Sequence, residues 1–407
     1  MIPFPTAFFA GLALILFVVW DAFETIILPR RVTRRFRFTR LFYKNTWRLW
    51  KLAARLIPSK KARESLLGLF GPISLLILLG VWALGLIFSF ALMHYGAGSA
   101  VNVAGTEPGF VADLYLSGTT FFTLGLGDVL PRSSLARALT VTEAGVGFGF
   151  LAIIIGYLPV IYQSFSRREV NISLLDSRAG SPPTAGELLR RHSYPHGHEA
   201  LRELLQEWEH WSADLMESHL SYPVLAFFRS QHDNQSWIAA LTAILDACAL
   251  LMVGIEGACE RQAQLTFAIA RHAVADLSQV FRTAPQPLPR ERLTSADLAR
   301  MRDILAQHGM KLRDGEDADR RLAELRRMYE PYLYALGSYL NLSLPPWIPE
   351  KKAGTTGRPR PGQEPQAPQS KKKQRRPLPT ITPEMCRSVS SFRQFPTGEL
   401  HESHPSP

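Results

Sequence analysis

From Leu67 to Tyr95 the chain runs for 29 residues without an Asp, Glu, Lys or Arg. In hydrocarbon every backbone polar group must be satisfied within the segment, and about 20 apolar residues suffice to cross. The stretch therefore predicts a membrane-spanning helix. Two more stretches of this kind flank it, Phe4 to Leu28 and Leu135 to Tyr162. The first carries Asp21 and Glu24 near one end. The third holds Glu143 inside it and Arg137 at its mouth. The mean hydropathy of the 407 residues is near zero only because apolar residues crowd before Gln163 and charge crowds after it.

Charge gives an orientation. Thirteen Lys and Arg with no acid lie between Arg30 and Arg63, whereas the loop between the second and third spans has Arg132 and Arg137. By the excess of basic residues in cytoplasmic loops, the first loop faces the cytoplasm. The N-terminus is then outside, the C-terminal half cytoplasmic, and the plasma (inner) membrane the expected location. Met1 to Phe4 has neither a basic leader region nor a small-residue cleavage site, so the first span reads as a retained anchor.

The net charge of +11 points to membrane surface rather than nucleic acid. Arg37, Arg40, Lys44, Arg48, Lys51 and Arg55 step by three or four residues beside Phe38, Leu41, Phe42, Leu49, Leu52, Ala53 and Leu56, with Trp47 and Trp50 between. This predicts an amphipathic helix on the inner interface, its basic side toward anionic headgroups along Arg30–Arg63. Arg31, Arg34, Arg37 and Arg40 also recur every third residue, as in a voltage sensor, but the stretch is too polar to span. Asp21 and Glu24 are expected to meet Arg30 and Arg31 at the interface.

The loop between the second and third spans contains Thr119-Thr-Phe-Phe-Thr-Leu-Gly-Leu-Gly-Asp-Val-Leu-Pro131. Gly125 and Gly127 admit a left-handed backbone cheaply, which allows successive carbonyls to point one way. Asp113 to Phe122 predicts a short helix, with Asp113 as its N-cap. The C-terminal end of that helix favours cations. Rings of carbonyls from several copies could replace the hydration shell of a cation.

Span, short helix, Thr123-Leu124-Gly125-Leu126-Gly127-Asp128 and span together resemble the pore unit of potassium channels, over about Leu67 to Phe165. The resemblance implies K⁺ coordinated at Thr123, Leu124, Gly125 and Leu126, with Gly127 completing the filter. Asp128 would brace the outer mouth. Leu126 stands where that family usually has Tyr, and Phe122 where Thr is common. One pore loop per chain implies a homotetramer. Gly145, Gly147, Gly149 and Pro159 are candidates for a gating hinge. Gly145 and Gly149 also form a small-residue pair suited to helix packing. Glu143, an ionisable group inside the membrane, reads as a support behind the filter, or as a partner of Arg137 or the pore cavity. His94 reads as an interfacial histidine, with external pH sensing as its other reading.

The expected fold is thus an all-α membrane protein. Membrane helix 1–29 is followed by a basic interfacial helix at 30–66 and a second membrane helix at 67–97. Residues 98–134 hold the external loop, pore helix and filter, and 135–165 the third membrane helix. A helical cytoplasmic region fills 166–344, and a disordered basic Pro-rich tail, including Lys371 to Arg376, fills 345–407. Helical patterns in that region cover Ala185–Glu217, Ser236–Glu256, Arg261–Arg282, Ser295–Gln307 and Asp317–Asn341. The run from Trp237 is apolar enough to raise a fourth span, but Asp246 and its polar flank favour a core helix. Cys248, Cys259 and Cys386 read as reduced thiols, and His192, His196 and His198 as a turn rather than a metal site. No nucleophile–base set or phosphate loop is present, so no enzyme and no cofactor is expected, K⁺ being the permeant ion. The alternatives are a weakly selective cation channel and a membrane-anchored helical scaffold.

Overall fold

Apolar α1 (Phe4–Ile26), basic α2 (Phe38–Arg55) and apolar α3 (Lys60–Gly96) open the fold. The computed structural model describes residues 4–28, 37–99, 101–103, 109–232, 234–255 and 259–349. These fall within one unit, Met1–Lys351; a second unit, Lys352–Pro407, lies outside the described residues. So do Arg30, Arg31, Arg34, Glu256, Cys386, the Lys371–Arg376 cluster and the tail from residue 350 onward.

Small residues set the fit of α1 on α3. A Cβ on Gly11 would stand 2.5 Å from the Ser89 carbonyl oxygen, and one on Gly85 would stand 3.3 Å from Val18. Asp21, buried, accepts from Thr39 Oγ1 at 2.6 Å and Trp82 Nε1 at 3.1 Å, tying three helices at one carboxylate. Glu24 lies 3.8 Å from Arg37 and accepts from Trp20 Nε1 at 2.7 Å. These acids therefore serve helix packing as well as the basic loop. A carboxylate inside an apolar bundle needs donors close by, and Trp82 and Thr39 supply them.

α2 turns its Trp-bearing side to the protein. Trp47 is buried and donates to the Tyr339 carbonyl at 2.9 Å, while Trp50 donates to that of Leu66. Leu41, Leu49, Leu52 and Leu56 form a separate exposed ridge.

The short α4 (Phe110–Phe121) follows strand β1 (Val101–Val103), which pairs antiparallel with β2 (Val129–Pro131). α5 (Ser134–Ala179) then runs unbroken through Pro159 for 46 residues. At 1.5 Å per residue that is about 69 Å, more than twice the hydrocarbon thickness. The third apolar stretch thus continues far beyond Tyr162.

Helices α6 (Ala185–Arg191) and α7 (Gly197–Ser221) divide what the pattern suggests as one helix. The break comes at Pro195, beside His196 in the left-handed region at φ 65°. After the 3-10 turn Pro223–Phe227 come α8 (Trp237–Gly254), α9 (Glu260–Phe281), α10 (Ser295–Gln307), α11 (Glu316–Arg327) and α12 (Glu330–Leu340). The last two again split one predicted helix, with Tyr329 leaving helical geometry between them.

Among the described residues four helices are long and apolar enough to cross a membrane: α1, α3, α5 and α8. α8 is enclosed by protein, every side chain from Trp237 to Leu251 being buried. Its Asp246 receives both Arg292 (2.6 Å) and the Tyr329 hydroxyl (2.6 Å), and Arg292 also holds Glu330 at 2.8 Å. Buried charges survive only when so partnered. The start of the tail is ordered by the same cluster. Arg292 donates to the Pro345 carbonyl at 2.8 Å, and the Trp347 ring is flanked by Arg292 and Arg326. Order therefore continues past 344.

The turn after α7 is a wedge between the two long helices. Phe228 fills the space a Cβ on Gly71 of α3 would need and lies 5.6 Å from Phe165 of α5. Arg168 of α5, buried, donates to the carbonyls of Leu225 at 2.9 Å and Phe228 at 2.8 Å, and Trp211 donates to the Arg168 carbonyl. Arg168→Met strands two carbonyls and is expected to cost about 3 kcal/mol, read as a lowered melting midpoint in detergent. His219 touches the same guanidinium at 3.2 Å. Burial, and then the Arg168 charge, hold its pKa well below the ordinary 6.5. The folded chain therefore binds fewer protons than the unfolded one below pH 6.5. The His219 contribution is complete above that pH and is lost on acidification, by up to about 1.4 kcal/mol per pH unit. The midpoint should fall more steeply with acid in wild type than in His219→Gln; parallel profiles would refute the assignment.

Candidate functional site

α4 ends at a backbone with an alternating sense. Thr123, Gly125 and Gly127 have φ of 56°, 59° and 80°. Two are glycines, for which this costs little; Thr123 carries the strain of a β-branched residue there. The Leu124 amide donates to the Thr119 carbonyl at 2.8 Å and that of Thr123 to Thr120 at 2.9 Å, so the loop hangs from the last turn of α4. Side chains from Phe122 to Asp128 are all exposed, Leu124 and Leu126 by more than 60%.

Asp113 does not cap α4. Gly109 is the N-cap, and Asp113 lies one turn inside, buried, accepting from Ser99 Oγ at 2.6 Å. Asp128 sits beyond the loop and takes a hydrogen bond from the Tyr115 hydroxyl of α4. The short helix thus supplies an aromatic hydroxyl to Asp128, although Leu126 has none. A Tyr two turns before the loop was the signal for this bond.

Of the four hinge candidates, Gly147 meets α4 most closely: a Cβ there would overlap the Phe121 carbonyl oxygen. Phe121, fully buried, also packs on Phe150 at 5.9 Å. Gly145 and Gly149 have open space where a Cβ would stand, and α5 stays helical through them and Pro159. Val141, Phe148, Ile155 and Tyr162, seven residues apart, form an exposed apolar stripe on the same helix.

Glu143 is buried, with His94 Nε2 at 3.8 Å; it does not pair with Arg137, which turns to the Pro131 carbonyl. His94, in the last turn of α3, is 1% exposed and lies inside the helix packing. It lies where α3 meets α4 and α5, beside Glu143. The other sequence candidates lie apart from the loop. His192 bonds the Leu188 carbonyl at 2.7 Å, and burial lowers its pKa. Among the described residues no three of His, Cys, Asp and Glu converge as metal ligands. Cys248 is buried in α8, where burial pushes its thiol pKa up.

Comparison with known proteins bears on this same region. An uncharacterized membrane protein, YdjJ, of Bacillus subtilis (strain 168) is 25% identical over 210 residues, 51% of this chain. The chain spans 60% of that relative's length. No solved structure matches. Residues 76–163, from within α3 to the middle of α5, match the family model described as ion channel, which supports an ion-channel unit built from α3, α4, the glycine loop and α5.

Proposed function

We propose that the protein is a potassium channel whose pore is completed by four copies of the chain. The observation that carries this reading is the backbone alternation at Thr123, Gly125 and Gly127, hung from α4 between two membrane-length helices. Its carbonyls then serve as ligands at Thr123, Leu124, Gly125 and Leu126, in place of water around K⁺. The exposed loop and the stripe Val141, Phe148, Ile155 and Tyr162 are the surfaces a surrounding ring of copies would cover. Tyr115 and Asp128 brace the outer mouth, and Gly147 lets α4 sit close on the inner helix.

The excess of basic residues in the first loop supports a reading with α2 on the cytoplasmic leaflet, the N-terminus outside and the C-terminal helical region in the cytoplasm. The exposed leucines of α2 enter the interface while Lys44, Arg48 and Arg55 meet anionic headgroups.

Reconstituted into a planar bilayer under K⁺/Na⁺ bi-ionic conditions, the protein should reverse close to the K⁺ equilibrium potential. Reversal near zero would make it a weakly selective cation channel, the outcome Leu126 favours. Absence of current from folded, tetrameric protein would refute the pore and favour the scaffold reading.

A further inference from the structure

All three helices of the pore unit contribute to one buried polar cluster. α3 gives His94, the turn after it Ser99, α4 Asp113 and Ser117, and α5 Glu143; all five are buried. They are linked. The Ser99 amide donates to the His94 carbonyl at 3.1 Å, its hydroxyl donates to Asp113 at 2.6 Å, and His94 stands 3.8 Å from Glu143. Ser117, one turn after Asp113 on α4, acts on the Glu143 carboxylate as well. Yet both ring nitrogens of His94, both oxygens of Glu143, Asp113 Oδ1 and Ser117 Oγ have no hydrogen-bond partner among the described residues. Six such atoms in one place are unusual, because buried polar groups are nearly always satisfied. A site of this kind takes water and protons.

We propose that His94 and Glu143 hold one exchangeable proton between them, and that this proton keeps α4, and so the filter, in its conducting position. The inference rests on the channel reading above. With one proton the pair is neutral overall, as an ion pair or as two uncharged groups. Losing the proton leaves Glu143 and Asp113 as two carboxylates on packed helices with no cation between them. Their repulsion acts on α4, whose last turn carries the filter.

Among the described residues, His94 is the one charged group that acts on Glu143 and Asp113. α1 packs on α3, but its acids Asp21 and Glu24 sit at the opposite end, beside Trp82 and Arg37. Arg137, the nearest cation on α5, turns to the Pro131 carbonyl. Tyr95 packs its neutral ring on Phe110. His94 and Glu143 are therefore positioning residues: they act on the ion only through α4.

The test is steady-state K⁺ current against external pH for wild type, His94→Gln, Glu143→Gln and the double variant. Wild-type current should fall as pH rises, by about fivefold or more across one titration, the low end of ordinary site-to-site coupling. The double variant, two amides able to bond each other, should conduct with no pH dependence. A purely structural role would leave its pH profile like that of wild type. Flat wild-type current, or dependence retained in His94→Gln, overturns the proposal.

A second measurement separates this from failure of the channel reading. The melting midpoint of purified wild type should fall with alkalinity relative to the double variant even if no current is found. Parallel melting profiles sink the cluster, whereas absent current with divergent profiles sinks the channel alone.

Discussion

Gly125→Ala is expected to silence the pore. Gly125 sits at φ 59° with no atom within 4 Å of where its Cβ would stand, so within one chain the cost is conformational rather than steric. Alanine in the left-handed region loses about 1–2 kcal/mol. In a tetramer that penalty applies four times, about 4–8 kcal/mol for one ring, and the cheapest relief is to turn the carbonyl away from the axis. Single-channel recording should show no K⁺ conductance while gel filtration still shows the assembled protein. Wild-type conduction by Gly125→Ala would mean that the loop is not the filter.

Gly147→Ala should strike one level earlier, at the fold of the pore unit. The added methyl overlaps the Phe121 carbonyl oxygen, and backbone on a packed helix has little room to retreat. Overpacking of this kind costs about 1–3 kcal/mol per chain and displaces α4 from α5. The expected result is a lower melting midpoint together with lost current. Gly145→Ala and Gly149→Ala, with open space at both positions, should leave the melting of the single chain unchanged. Equal effects at all three would indicate that helix flexibility, not the α4 contact, is what Gly147 provides.

The comparison of these glycines shows where reading a sequence stops. Spacing alone marks Gly145, Gly147 and Gly149 equally, because a one-dimensional pattern carries the period of a helix but not the identity of its neighbour. α3 and α5 were legible as apolar runs, and α10 to its ends, because hydrophobic period and capping are local properties. The 3-10 wedge and Arg168 were not, since what distinguishes Arg168 from the exposed Arg167 is a set of carbonyls more than 50 residues away. His94 and Glu143 were each visible as oddities, 49 residues apart in the chain. Their pairing is a tertiary fact. The period of α2 was legible, but not the protein partner of its Trp47 face, because the Tyr339 carbonyl it bonds lies 292 residues away.

The wedge at Tyr222–Arg229 also bears on how this chain can be cut or recombined. Composition changes at Gln163, which invites treating the residues before it as a transplantable module. Phe70 and Leu67 of α3, however, share one core with Phe227 and α8, and Leu225 lies in the core that holds Tyr157 and Trp82. A chain ended near residue 165 would expose the Gly71 slot and the parts of α3 and α5 that pack on the wedge. Any chimera that keeps this pore must carry residues 222–229 with it, or supply a foreign aromatic for the same slot.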